Sequence, residues 1–205
     1  MSIANQPKRR LTVTSPAADQ LLCTVANAKI DIGISGSTED AYLTRLVAQS
    51  SKMIANYCGR VFKRETVTET FEVTYPAGFL MLSRYPLGTI TSVKIDGVAI
   101  LAANYHAETN TGFLRQLDDD GRTICWDCGL VEVVYAGGFA SIPEDLEAAC
   151  IALVKSRRAT RDRDATVRSE EVPNVYRVTF DSGSSSGELP AEVTAILDSY
   201  IPARY

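Results

Sequence analysis

The chain has 205 residues, 45% of them hydrophobic, which is enough to bury one sizeable core or a core with an appendage. Its formal net charge is -4 and its sequence pI is ≈ 5.1, a balance that argues against holding nucleic acid by neutralising phosphates, because that mode needs a cationic surplus on one face. No run approaches the roughly 18 consecutive apolar residues of a membrane span, and residues 1–10 are polar and basic with no apolar stretch behind them, so a cytosolic chain without a membrane partner is expected.

Residues 1–14 show neither helical nor strand periodicity and read as a flexible arm. Ser15-Pro16 then supplies a helix cap and a proline at the first helical position, and Leu21, Leu22, Val25 and Ala28 make a short apolar stripe, which predicts a helix over 16–28. After Gly33 and Gly36, Ser37-Thr38-Glu39-Asp40 opens a second helix, with cap hydroxyls before acidic residues that complement the helix dipole. Leu43, Leu46, Val47, Ser50, Ile54 and Tyr57 follow at helical spacing, and Gly59 is placed for a left-handed C-cap, so this helix should occupy 38–58.

Across 61–138 the period switches to alternation, as in Thr66-Val67-Thr68-Glu69-Thr70-Phe71-Glu72-Val73. Turn signals at Pro76-Ala77-Gly78, Pro86-Leu87-Gly88, Asp96-Gly97 and Asp120-Gly121 divide this section, and strands are expected near 66–74, 79–83, 90–95, 105–108, 112–116 and 130–135. Gly137-Gly138 closes it. Pro143-Glu144-Asp145 starts a third helix over 143–155, with Leu146, Ala149, Cys150, Leu153 and Val154 on its buried face. Residues 156–188 read as an extended arm and linker that mixes Arg and Asp, carries a short strand pattern at 175–180 and ends in a Gly/Ser stretch. A last helix begins at Pro190 and stops at Pro202, with a tail to residue 205.

This order of elements predicts an α+β fold: a small helical bundle drawn from both chain ends, an inserted antiparallel β section and an extended C-terminal arm. Residues 15–155 would form the main domain.

Few motifs carry chemistry. Cys125-Trp126-Asp127-Cys128 has the spacing of redox and zinc pairs, but it lies in β-patterned sequence rather than at a helix N-terminus, and no second pair or His partner completes a zinc site. The five cysteines read as reduced thiols used as small hydrophobes, without a disulfide framework. His106, the one histidine, reads as a surface residue of a strand rather than a catalytic base. Asp118-Asp119-Asp120-Gly121 lacks the alternating ligands of a calcium loop and reads as a polar hairpin turn. Arg157, Arg158, Arg161, Arg163 and Arg168 form the best basic cluster, yet Asp162, Asp164, Glu170 and Glu171 nearly cancel it, which favours a solvated or inter-subunit salt-bridge surface over phosphate binding. No catalytic residue, metal site or cofactor is expected.

Three phrases, in this order and spacing, carry a resemblance: Ile54-Ala55-Asn56-Tyr57-Cys58-Gly59-Arg60; Leu82-Ser83-Arg84-Tyr85-Pro86-Leu87 leading to Ile90-Thr91-Ser92-Val93-Lys94-Ile95-Asp96-Gly97; and Val131-Glu132-Val133-Val134-Tyr135-Ala136-Gly137-Gly138-Phe139 joined to Ile142-Pro143-Glu144-Asp145-Leu146-Glu147-Ala148-Ala149. The chain resembles, over about residues 21–200, the head-tail connector (adaptor or head-completion) proteins of tailed double-stranded DNA phages and gene transfer agents. The likeness is to their longer members, in which a β insertion separates the helices.

The resemblance implies a structural protein of a virion or phage-like particle, assembled in the host cytoplasm. It would form a homo-oligomeric ring, usually of twelve copies, beneath the portal protein, offer a platform for a stopper or tail-terminator protein, and let double-stranded DNA pass through the lumen. By analogy, portal or inter-subunit contacts fall on Val193, Ile196, Leu197, Tyr200 and Tyr205, unless this helix packs back on its own bundle, and on Arg157, Arg158, Arg161 and Arg163. Phe79, Met81, Tyr105 and Phe113 are either exposed tips of the β section or sheet core. The competing readings are a tail-terminator or other tail or neck structural protein, and a DNA-binding module built on Arg157–Arg168.

Overall fold

The computed structural model describes residues 7–159, 169–172, 176–179 and 189–202, with backbone alone for 169–172 and 176–179. The chain divides into two compact units: residues 1–19 with 61–141, and residues 20–60 with 142–205. Helix covers 34% and antiparallel strand 32%, so the fold is α+β as the periodicity predicts.

Unit 1 is the β section. A five-stranded antiparallel sheet runs β1 (Lys8–Ser15), β2 (Glu65–Val73), β9 (Gly129–Gly137), β4 (Leu87–Ile95), β5 (Val98–Ala99) in spatial order. A smaller sheet joins β3 (Leu80–Met81), β7 (Phe113–Leu117) and β6 (Tyr105–Ala107), with β8 (Thr123–Ile124) also on β7. Alternation drives both long central strands: β2 buries every second residue from Glu65 to Val73, and β9 does the same from Val131 to Gly137. Val67, Phe71 and Val73 thereby meet Val93, Val131 and Val133, with Leu80, Leu82, Leu87, Leu114 and the fully buried Trp126 completing the core.

The turns follow their chemistry. Asp96 (φ 48°) and Gly97 (φ 84°) both take positive φ, which closes a two-residue hairpin between Ile95 and Val98. Asp118 Oδ1 accepts from the backbone N–H of Asp120 and of Arg122, so the aspartate run is a polar turn between β7 and β8. Gly137 has a steric role: a Cβ there would lie 2.6 Å from the Arg84 Cβ.

Unit 2 packs α1 (Val25–Ile32), α2 (Asp40–Cys58), α3 (Glu144–Ala159) and α4 (Ala191–Leu197), with α3 touching the other three. The helix ends carry the signals expected of them. Gly59 caps α2 in the left-handed conformation (φ 63°), Glu144, Asp145 and Glu147 sit in the first turn of α3, and Arg157 and Arg158 in its last. Leu43, Leu46, Val47 and Ile54 of α2 pack with Leu146, Leu153 and Val154 of α3 in the core.

Several predicted boundaries are corrected. The flexible arm over 1–14 is, from Lys8 onward, an eight-residue edge strand on β2, because the Thr- and Val-rich half of this segment can share the sheet's ladder; residues 1–6 lie outside the described residues. The helix expected at 16–28 forms instead at Val25–Ile32, capped by Thr24, whose Oγ1 accepts from Asn27 N at 3.1 Å. Ahead of it Leu22 and Cys23 are buried without helical structure, and Leu22 N donates to Ser51 Oγ at 3.0 Å. The N-cap of α2 is Glu39, with no side-chain bond from the predicted hydroxyls.

The third helix runs to Ala159, past the predicted end at 155, and its last arginines find partners in and beside α2. Within the stretch expected to be an arm, Ser169–Val172 and Tyr176–Thr179 form an antiparallel two-stranded ladder, the second of them where a strand is anticipated; the Gly/Ser linker lies outside the described residues.

Candidate assembly surfaces

The C-terminal helix buries only part of its apolar stripe. Val193 and Leu197, four residues apart, are fully buried in unit 2, so for these two the packed-back alternative describes the structure. Ile196 and Tyr200 are half-buried, Ile201 is exposed, and Tyr205 lies outside the described residues. Two phenol–carboxylate bonds hold this end of the chain: Tyr57 Oη donates to Asp198 at 2.7 Å, and Tyr200 Oη reaches both Asp145 oxygens at 2.7 and 2.9 Å. Burial, then the bond to Asp145, pushes the Tyr200 hydroxyl up to about 12, and the bond to Asp198 raises Tyr57 in the same direction. Beneath them Cys58 is pushed up to about 11 by burial.

The arginine cluster is partly tied down. Arg158 forms a forked ion pair with Glu39 at 2.9 and 3.3 Å, and Arg157 contacts the Met53 sulfur and Gln49 Oε1. These contacts join the end of α3 to α2 and to the residue capping it. Arg161, Arg163 and Arg168 lie outside the described residues.

In unit 1 the four candidate tip residues are all half-buried. Phe79 and Phe113 meet edge to face at 4.7 Å, with the Arg115 guanidinium 5.9 Å from one ring centre and 6.0 Å from the other. His106 is exposed on β6, opposite Arg115, as a surface strand residue. Cys23, Cys58 and Cys150 are buried thiols, with Cys23 Sγ 3.5 Å from Cys150 Sγ, but Cys125 and Cys128 are exposed. The extended turn around Trp126 explains the difference. It sends the indole inward, where Nε1 donates to Leu114 O at 3.2 Å, and leaves the flanking thiols at the surface. Among the described residues no group of three or more His, Cys, Asp or Glu side chains is placed to hold a metal.

The arrangement that sequence reasoning missed is polar and buried. Glu69 and Glu65 lie in phase with Val67 and Phe71 on the inner face of β2, and Glu69 is fully buried. It accepts from Ser83 N (3.0 Å), Ser83 Oγ (2.5 Å) and Tyr135 Oη (2.7 Å), and Arg9 of β1 stands 3.3 Å away with its guanidinium half in solvent. Glu65 binds Arg84 Nε at 2.5 Å, and Arg84 N donates to Tyr135 Oη at 3.1 Å. Burial, and then the adjacent Glu69 carboxylate, push the Tyr135 hydroxyl upward, so at neutral pH it is a donor. The signal was present as two carboxylates at inward positions of an alternating strand. The Ser83-Arg84 phrase supplies donors that satisfy them, which makes this network a clamp on sheet geometry.

No curated protein matches the sequence. Among solved structures, the fold is similar to a chain in the neck of an empty gene transfer agent particle computed with C6 symmetry, at 18% identity and TM-score 0.61, covering 96% of this chain and 97% of that one. It is similar also to chains in the virion of a native gene transfer agent particle (16%, TM-score 0.57, 95% and 96% covered) and in the neck of a native particle computed with C12 symmetry (15%, TM-score 0.57, 96% and 97% covered). At these identities the likeness shows a shared fold. A sequence profile reaches further: that of the head completion protein family matches residues 21–201, from the segment before α1 through the end of the C-terminal helix and across the whole inserted β section. The chain therefore belongs to the head completion protein family.

Proposed function

We propose that the chain is a ring-forming head-tail connector subunit, docked beneath the portal of a phage or gene transfer agent particle, where it passes DNA and receives a stopper or tail-terminator protein. The observation that carries the reading is the family match over residues 21–201, joined to a fold shared with necks computed with C6 and C12 symmetry. Those symmetries favour a ring of twelve copies.

The chemistry agrees with a scaffold over which DNA slides. A chain of net charge -4 lines a passage without gripping phosphates, and its best basic cluster spends Arg158 on Glu39 and Arg157 on Gln49 and Met53. This favours a structural subunit over a DNA-binding module, and the family match favours it over an enzyme. Among the other tail readings, a helix content of 34% counts against a mostly β tail-tube component.

Portal contact in this proposal falls on the half-buried margin of the C-terminal helix's apolar stripe, at Ile196 and Tyr200, and on the tail that follows. Electron microscopy of particles from a producer lacking the chain tests the function: DNA-filled heads that leak genome or carry no tails are expected. Mature tailed particles forming normally without it would overturn the proposal.

A further inference from the structure

The five-stranded sheet of unit 1 ends in two unlike open edges. On one side β1, eight residues long, is hydrogen-bonded to β2 and to no other strand among the described residues, so the polar groups along its outer edge lack ladder partners. Lys8, Arg9 and Arg10 guard its first half against indiscriminate pairing, but Leu11-Thr12-Val13-Thr14 carries neither charge nor proline, and Val13 is 41% exposed. On the other side β5 is two residues long, and Val98 and Leu101 beside it are 69% and 74% exposed, among the most exposed large apolar side chains described.

The two edges also differ in charge. Asn104 Nδ2 donates to Asp119 at 3.1 Å, which brings the Asp118-Asp119-Asp120 turn beside the segment that follows β5; Arg122 offsets only Asp120 there. After its ion pairs the β1 edge keeps Arg10, where Lys8 meets Glu72 and Arg9 meets Glu69, and the β5 side keeps Asp118 and Asp119, so the edges are opposite in charge, with uncovered apolar groups at both.

We infer that the β1 edge of one copy docks on the β5 side of a second copy, so that sheets join head to tail around the assembly. This rests on the ring reading above and names its contact. Unlike edges on one molecule make a heterologous interface, the kind that repeats around a ring, whereas a β1–β1 pairing would stop at two copies and leave Val98 and Leu101 uncovered. Strand addition supplies main-chain hydrogen bonds, and the opposite charges set the direction.

The test uses assembled particles carrying the full chain with Cys125→Ser and Cys128→Ser, which removes the exposed native thiols. Val13→Cys and Val98→Cys introduced together should, on mild oxidation, give a ladder of covalent multimers on a denaturing gel, because each copy is linked on both sides. Either cysteine alone should leave monomers. A ring visible in micrographs, with no ladder from this pair or from Val13→Cys with Leu101→Cys, would overturn the edge pairing and leave the ring intact. Dimers from Val13→Cys alone would overturn it in favour of β1–β1 pairing, and particles without a ring of this chain would overturn both readings.

Should the cysteine variants not assemble, charge variants decide. Val13→Asp and Leu101→Asp, each checked for native circular dichroism, should enter particles about tenfold less than the parent chain. Mixed with each other in solution they should form one-to-one complexes through the one intact edge each retains. Incorporation at the parent level, or no mixed complex from two folded variants, sinks the inference.

Discussion

Glu69 is the residue whose chemistry departs furthest from its surroundings, a carboxylate at 0% exposure inside a valine- and leucine-rich core. It is tolerable because Ser83, Tyr135 and Arg9 meet it, and removing it strands those donors rather than relieving them. Glu69→Ala should therefore lower unfolding free energy by about 3 kcal/mol in urea melts, and Glu69→Gln by roughly half that, since the amide keeps the shape but not the charge. Tyr200 gives a pH signature. Its folded pKa of about 12 stands above the usual 10.0, so its contribution is fully present below pH 10 and is lost as pH rises toward 12. The stability difference between the parent chain and Tyr200→Phe should be about 1 kcal/mol at pH 8, reduced from a fully buried bond by solvent, and should vanish near pH 12.

At the scale of elements, α4 shows how a short helix depends on its core contacts. Seven residues are too few to be stable alone, so Val193 and Leu197 must anchor it, and the portal contact proposed above is left to the margin of their stripe at Ile196. Leu197→Ala should cost about 3 kcal/mol in a denaturant melt. Ile196→Asp, half-buried at the margin of the same apolar stripe, should cost less than Leu197→Ala in the same melt while weakening capture by the portal in a pull-down assay. A portal interaction untouched by Ile196→Asp would move the contact elsewhere.

These two helical positions also show where periodicity stops being informative. An apolar stripe marks a face that wants cover, and a fold's own core and another protein's surface satisfy that need equally well. Strand β1 presents the converse case. Its basic start and short Thr/Val run carry too little pattern to announce a strand, and it exists because β2 offers an unpaired edge and Glu69 offers Arg9 a partner.

The whole molecule is two cores on one chain, a β unit made from residues 1–19 and 61–141 and a helical unit made from the rest. Its net charge of -4, with Arg158 paired to Glu39, leaves little with which to neutralise phosphates. In fluorescence anisotropy with a short duplex, binding should be no tighter than about 10 μM at physiological salt and should change only weakly with ionic strength. Submicromolar, steeply salt-dependent binding would revive the DNA-gripping module.

The amino-acid sequence by itself determined the α+β class, the long α2 with its Gly59 cap, the Asp96-Gly97 hairpin and the alternating β2 and β9, because each depends on spacing and turn chemistry within a few residues. Family membership was legible as well, in a resemblance over about residues 21–200 where the family's profile matches residues 21–201. Only the tertiary structure decided that Thr24 rather than Ser15 caps the first helix, that residues 8–15 complete a sheet with a strand some 50 positions away, and that Glu65 and Glu69 point inward to Arg84, Ser83 and Tyr135. Those choices turn on which distant groups can satisfy a buried charge or an open ladder, and that information resides in the packing of the chain rather than in any local stretch of it.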